Sequence, residues 1–256
     1  MNKVRTVSDT KRDFYNQHTR PVNSIYRRFV EELMVEMHLL SVNVDFCYDP
    51  IYALGVVTSF DRFMQGYRPL QDQESIFSAL CQAVGQEAQQ YRKDAESLTG
   101  LSGSTSVDEL ISWFSSSTSL GSAGDLHATV AAIADNPKFK YSRLFAIGLY
   151  TLLEQIDSEL VKEEKQLTEA LKQIAPALNL PEEKLQKDLE LYRSSLEKMA
   201  QAQSVIEDVI QADRKKREQR AQDKNQEATE SIEDSSESQD ETSSSEKSDN
   251  GMGNGE

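Results

Sequence analysis

Residues 181–210 read PEEKLQKDLELYRSSLEKMAQAQSVIEDVI, and this stretch decides the fold class. Leu185, Leu189, Tyr192, Leu196, Met199, Gln203, Ile206 and Ile210 follow one another at alternating steps of four and three, the a/d spacing of a heptad. Such a chain forms a long helix whose apolar stripe must be covered. The cover is either the molecule's own helices, including the charged helical stretch from Ser158 reached through the short Pro176–Pro181 turn, or a second copy. Three to four heptads with polar Gln203 in the seam are marginal for a free two-stranded coil, so packing within the molecule is favoured and a monomer is expected. The first half, Leu185 to Leu196, is expected to anchor on the body. The end near Ile206 and Ile210 is expected to stay in solvent, because the basic cluster and acidic tail that follow need water. Tyr192, Met199, Gln203, Ile206 and Ile210 are the candidate partner-binding residues.

Working upstream, Pro21 to Ser41 carries Ile25, Phe29, Leu33, Met37 and Leu40 at helical spacing. Val30, Met34 and Val35 widen the stripe, which predicts a central helix covered on most sides. Arg27, Arg28, Glu31, Glu32 and Glu36 form its solvated side. Asp49-Pro50 reads as an N-cap followed by a first-turn proline, opening a second helix through Tyr52, Val56, Phe60 and Phe63. Gln73 to Leu98 gives one or two further helices interrupted at Gly85, and residues 99–124 are loop-rich around one short amphipathic turn docked by Val107, Leu110, Ile111 and Phe114. Pro137 to Ile156 is the most apolar segment and reads as a core helix. No β-branched alternation is long enough for a sheet, so the fold class is all-α: a helical body at 1–175, a long coiled-coil-like helix at 181–222 and a disordered acidic tail at 223–256.

Charge sharpens that division. The formal net charge is −15, of which the tail contributes −9 through 11 Asp/Glu and 2 Lys. The body is mildly acidic, which argues against a nucleic-acid partner, since phosphate neutralisation needs a broad cationic face. The compact basic patch is local: Arg214, Lys215, Lys216, Arg217 and Arg220. It favours a helix C-terminus and attracts the acidic tail, and it is also a candidate contact for headgroups or an acidic partner. Cys47 and Cys81 stand alone, without the second pair of a metal spacing, and read as small buried hydrophobes. The N-terminus has no apolar h-region, and no run of about 18 apolar residues could span a bilayer.

Catalytic patterns are missing. TGLSGS at 99–104 lacks the strand context and lysine of a phosphate loop, and the residues three before His18, His38 and His127 are Tyr15, Val35 and Gly124 rather than glutamate. The three histidines support no triad or zincin arrangement, so no catalytic residue, metal or cofactor is expected and the chain reads as a non-enzyme.

Three long strings carry a resemblance: TVSDTKRDFYNQHTRPVNSIYRRFVEELMVEMHLLSVNVDFCYDPIYALGVVTSFDRFMQGY at 6–67, KFKYSRLFAIGLYTLLE at 138–154 and KDLELYRSSLEKMAQA at 187–202. Together they resemble the thylakoid formation protein family, also described as photosystem II biogenesis or repair factors of cyanobacteria and chloroplasts. The likeness covers roughly residues 4–220, with 97–137 and the tail matching poorly. The absence of a transit peptide resembles a cyanobacterial member. The resemblance implies an all-α accessory protein with a long coiled-coil helix, peripheral on the cytoplasmic side of the thylakoid membrane. It implies binding to FtsH membrane protease complexes, through which photosystem II is repaired, and no catalytic residues. A homodimeric organiser of the membrane and a direct assembly chaperone for photosystem subunits are the alternatives.

Overall fold

The computed structural model describes residues 5–103, 105–115 and 124–237, with side chains left out at 124–127, 206, 210, 213 and 221–237. The described residues form eleven helices and no strand: α1 (Val7–Gln17), α2 (Ser24–Ser41), α3 (Pro50–Phe63), α4 (Leu70–Ala83), α5 (Ala88–Ser102), α6 (Val107–Phe114), α7 (Gly124–Ala134), α8 (Arg143–Ile156), α9 (Ser158–Lys162), α10 (Glu164–Ala177) and α11 (Glu182–Glu237). The chain divides into two units, Met1–Ala200 and Gln201–Glu256.

The first unit is built on α3 and α8. Every residue from Ile51 to Phe60 and from Leu144 to Leu153 is buried, the signature of helices covered on all sides. They meet backbone to backbone at two glycines. A Cβ added at Gly55 would lie 1.7 Å from the Leu144 carbonyl oxygen, and one at Gly148 would lie 1.9 Å from the Ile51 carbonyl oxygen. No residue with a side chain fits either position unless the two helices separate. α5 packs on both helices, α4 joins α1 to α5, and α6 packs on α10.

α2 takes a different place from the one its sequence suggests. Its inner face, Val30, Leu33, Met34, Met37 and Leu40, is buried, but Val35, Leu39 and Val42 face solvent. The width of its apolar stripe reflects surface apolar residues rather than complete cover. The central position falls to α3 and α8, whose neighbours approach through glycine.

Local chemistry sets the ends of these elements. Asp49 caps α3, its Oδ1 accepting from the Tyr52 N–H at 2.8 Å, with Pro50 in the first turn as the sequence predicts. Gly85 takes φ +80°, the left-handed conformation that separates α4 from α5. Two helices outside the sequence reading, α1 and α7, lie in stretches without a strong apolar period. α1 nevertheless carries a legible signal: Thr6 and Asp9 form a reciprocal capping box. Cys81 is buried, which pushes its thiol up to about 12, whereas Cys47 is exposed and corrects the reading of both cysteines as core residues.

The long helix also departs from its expected limits. α11 continues to Glu237, through the first part of the stretch read as disordered. From Glu182 to Glu237 there is no Gly or Pro to break the helix, and Glu, the commonest residue between 223 and 237, is a good helix former. The rest of that tail, 238–256, lies outside the described residues.

Two predictions follow from this packing. Gly148→Ala should destabilise the protein by about 3 kcal/mol or more, because the new methyl meets backbone that cannot turn aside. Gly100→Ala, in α5 with nothing within 4 Å of the new Cβ, should be neutral or stabilising by about 0.5 kcal/mol; paired urea melts check the contrast. Burial raises the Asp49 carboxyl from 3.8 to about 7 against the lowering effect of its backbone hydrogen bonds. The native state therefore binds the extra proton in that window, and stability falls as pH rises from 3.8 to about 7. Asp49→Asn retains a capping oxygen without a charge, so its stability relative to wild type should rise across the same window in urea unfolding.

Candidate functional site

Burial falls steadily along the heptad seam. Leu185, Leu189 and Tyr192 are buried, Leu196 and Met199 are partly buried against the core, and Gln203 is half-exposed. The rings of Phe63 in α3 and Tyr150 in α8 lie 6.1 Å from that of Tyr192, so the seam packs on the central pair rather than forming a hairpin with the 158–174 stretch. Tyr192 is therefore a core residue, which corrects its place among the partner-binding candidates. An aromatic in a heptad cannot be told from a surface anchor until the opposing helices are known. The side chains of Ile206 and Ile210 lie outside the described residues.

In the second unit, the described side chains from Gln201 to Arg220 are exposed or half-exposed. Val205 and Val209 stand at 62% and 58% exposure, one turn apart. They occupy positions beside the predicted seam, and the a/d pattern did not single them out. Arg214, Lys215, Lys216, Arg217 and Arg220 are all exposed on the same helix, with Arg214 donating to Glu218 at 2.8 Å. The basic patch thus exists as a solvated surface, partly engaged by its own glutamate.

A second surface, in the first unit, was read from sequence only as a solvated face. The outer side of α2, the segment 140–143 and the start of α11 enclose an open groove of about 930 Å³. Val35 and Leu39 form its apolar floor, at 37% and 56% exposure, and Val42 continues their line one turn further. Arg143 pairs with Glu36 of α2 at 2.6 Å, joining the groove's two walls, and Arg28 pairs with Glu32 along α2 at 2.9 Å. Tyr141 donates to Asp188 at 2.8 Å, and the Lys184 ammonium lies 5.1 Å from the centre of the Tyr141 ring. Burial raises the Glu36 carboxyl, opposed by the adjacent Arg143 guanidinium. The groove is thus a rigid, charged trough with an aliphatic floor.

His18 and His38 are held in structural hydrogen bonds. His18 shares a hydrogen bond of 3.0 Å with Ser75, and His38 one of 2.8 Å with Thr10; both are buried and burial lowers both pKa values. The side chain of His127 lies outside the described residues. Among the described residues no group of three or more His, Cys, Asp or Glu is placed to hold a metal, and no helix is long and apolar enough to cross a membrane.

Fold and surface together define an all-α protein that presents exposed faces along helices. The chain belongs to the thylakoid formation protein family, whose profile matches residues 6–221. Protein Thf1 of Nostoc punctiforme is 67% identical over 222 residues, which are 87% of this chain and 94% of that protein. Protein Thf1 of Rippkaea orientalis is 60% identical over 224 residues, covering 87% and 95%. A solved structure of Psb29 aligns with a TM-score of 0.73 at 46% identity, covering 83% of this chain and 98% of that one. None of these names refers to a catalytic activity.

The difference between the two halves of α11 is measurable. Leu189→Asp should place an unpaired charge in the core and cost about 3–5 kcal/mol, whereas Val205→Asp should change stability by no more than about 0.5 kcal/mol. Thermal melting of the two variants checks this.

Proposed function

We propose that this chain is a non-catalytic accessory factor at the thylakoid membrane, one that binds and stabilises FtsH-type membrane protease complexes and thereby supports photosystem II repair. The observation that carries the reading is membership of the thylakoid formation family over residues 6–221, nearly the whole helical part of the chain. The surface is consistent with it. The groove beside α2 and the aliphatic positions Val205 and Val209 are faces suited to another protein, and neither has the enclosed shape of a small-molecule site.

The mechanism is mass action. A factor with higher affinity for the assembled protease than for its separated subunits raises the assembled population without contributing chemistry. Attachment to the membrane is then peripheral and mediated by that partner. Each basic residue of Arg214–Arg220 contributes about 1 kcal/mol near an anionic leaflet, opposed by the acidic residues that follow. The working state is a monomer on the cytoplasmic face.

Pull-down of the tagged full chain from detergent-solubilised thylakoids should recover protease subunits. Photosystem subunits recovered without protease would favour an assembly chaperone instead. A mass of two chains by light scattering, with no protease recovered, would favour the homodimeric organiser.

A further inference from the structure

We infer that the groove beside α2 seats an acidic amphipathic helix of a partner protein, and that this is the surface through which the binding proposed above takes place. The inference rests on that functional reading and adds to it a site and the chemistry of the bound segment. Three features of the groove carry it.

The first is shape. Val35 and Leu39 are spaced i and i+4 on α2, with Val42 at the C-cap just beyond the groove, so their side chains form an aliphatic line about 10 Å long, given a rise of 1.5 Å per residue. A line of anchors beside a second wall, made by the segment 140–143 and the start of α11, matches a helix lying alongside α2. A small molecule would need enclosure, and this trough is open to solvent.

The second is the state of the charges. Each carboxylate in the lining already has a partner: Glu32 takes Arg28, Glu36 takes Arg143, Asp188 accepts from Tyr141, and Glu31 accepts from Tyr15 and pairs with Lys11. The cations are not all matched. Among the described residues, no carboxylate lies within ion-pair distance of Arg27, Lys140 or Lys184, and all three are exposed on the groove. In a chain of net charge −15, a lining of five cations and four carboxylates, with Arg27, Lys140 and Lys184 outside any ion pair among the described residues, makes a rim that favours an acidic occupant.

The third separates a protein from a lipid surface. A membrane-binding face is convex or flat and uniformly basic. This one is concave, and its lining mixes five cations with four carboxylates, a charge pattern suited to a polypeptide rather than to a uniform sheet of headgroups.

The test uses three forms of the full chain: wild type, Leu39→Asp at the floor, and Arg27→Glu with Lys140→Glu at the rim. These side chains are exposed, so all three should melt together. Wild type should recover the protease from solubilised thylakoids, with recovery falling as salt rises. Leu39→Asp should reduce recovery about tenfold or more, as loss of a central anchor does, and the rim variant should reduce it at low salt and lose the salt dependence. A photo-crosslinker placed at Val35 should label a partner segment rich in Asp and Glu. Equal recovery by all three forms would overturn the groove assignment while leaving the functional reading intact. No recovery by wild type would defeat the functional reading itself. Labelling of a basic segment would overturn the acidic assignment. Binding of wild type to vesicles of equal phosphatidylglycerol and phosphatidylcholine, abolished by Leu39→Asp, would show a lipid face instead.

Discussion

The approach of Gly55 to Gly148 is the constraint on which the rest of the first unit depends. Because each glycine lies against a carbonyl of the opposite helix, α3 and α8 are locked at a separation that no other residue permits. Each is then buried over ten consecutive residues, leaving no polar face on either, and the remaining helices are required to cover them. α5 packs on both, and Tyr192 brings the start of α11 against Phe63 and Tyr150. Packing this close gains dispersion along the whole contact and leaves no route for gradual adjustment.

Charges hold the cover in register rather than supplying the stability of the core. Arg62 pairs with Glu154 between α3 and α8, Arg92 with Asp61 at 2.6 Å between α5 and α3, and Arg20 with Asp72 at 2.6 Å at the start of α4. At least one partner of each pair is solvent-accessible, although Asp72 is buried, so their effect is taken as orientation. Arg143 with Glu36 belongs to the same set, and it has a second consequence: by tying α8 to α2 it stiffens one wall of the groove. A trough of fixed shape loses little entropy on binding, which suits the affinity-based role proposed above.

The two exposed faces differ in kind. The groove is preorganised and carries mixed charge, whereas the 201–220 stretch of α11 is a single helix with aliphatic positions and a basic run in solvent. The first has the shape and mixed charge that the proposed partner segment requires. The second is suited to weaker, charge-guided encounter, where exposed cations raise the association rate more than the affinity.

The sequence by itself determined the helical class, the heptad of α11, the Asp49-Pro50 start of α3, the break at Gly85 and the apolar character of α8, because caps, turns and a 3.6-residue period are local properties. It also determined family membership, through strings long enough to be specific. It left α1 unread although Thr6 and Asp9 spell its capping box, and it drew the end of the long helix at 222, where apolar residues give out, whereas α11 runs to Glu237. What only the tertiary structure decided was which apolar residues would find cover. Gly55 and Gly148 are 93 positions apart in the chain, and nothing local says that they meet or that α3 and α8 rather than α2 form the centre. Once they meet, Tyr192 is drawn into the core while Val35, Leu39 and Val42 are left outside. Periodicity places a residue on a face of its helix, but whether another helix reaches that face is fixed by long-range packing.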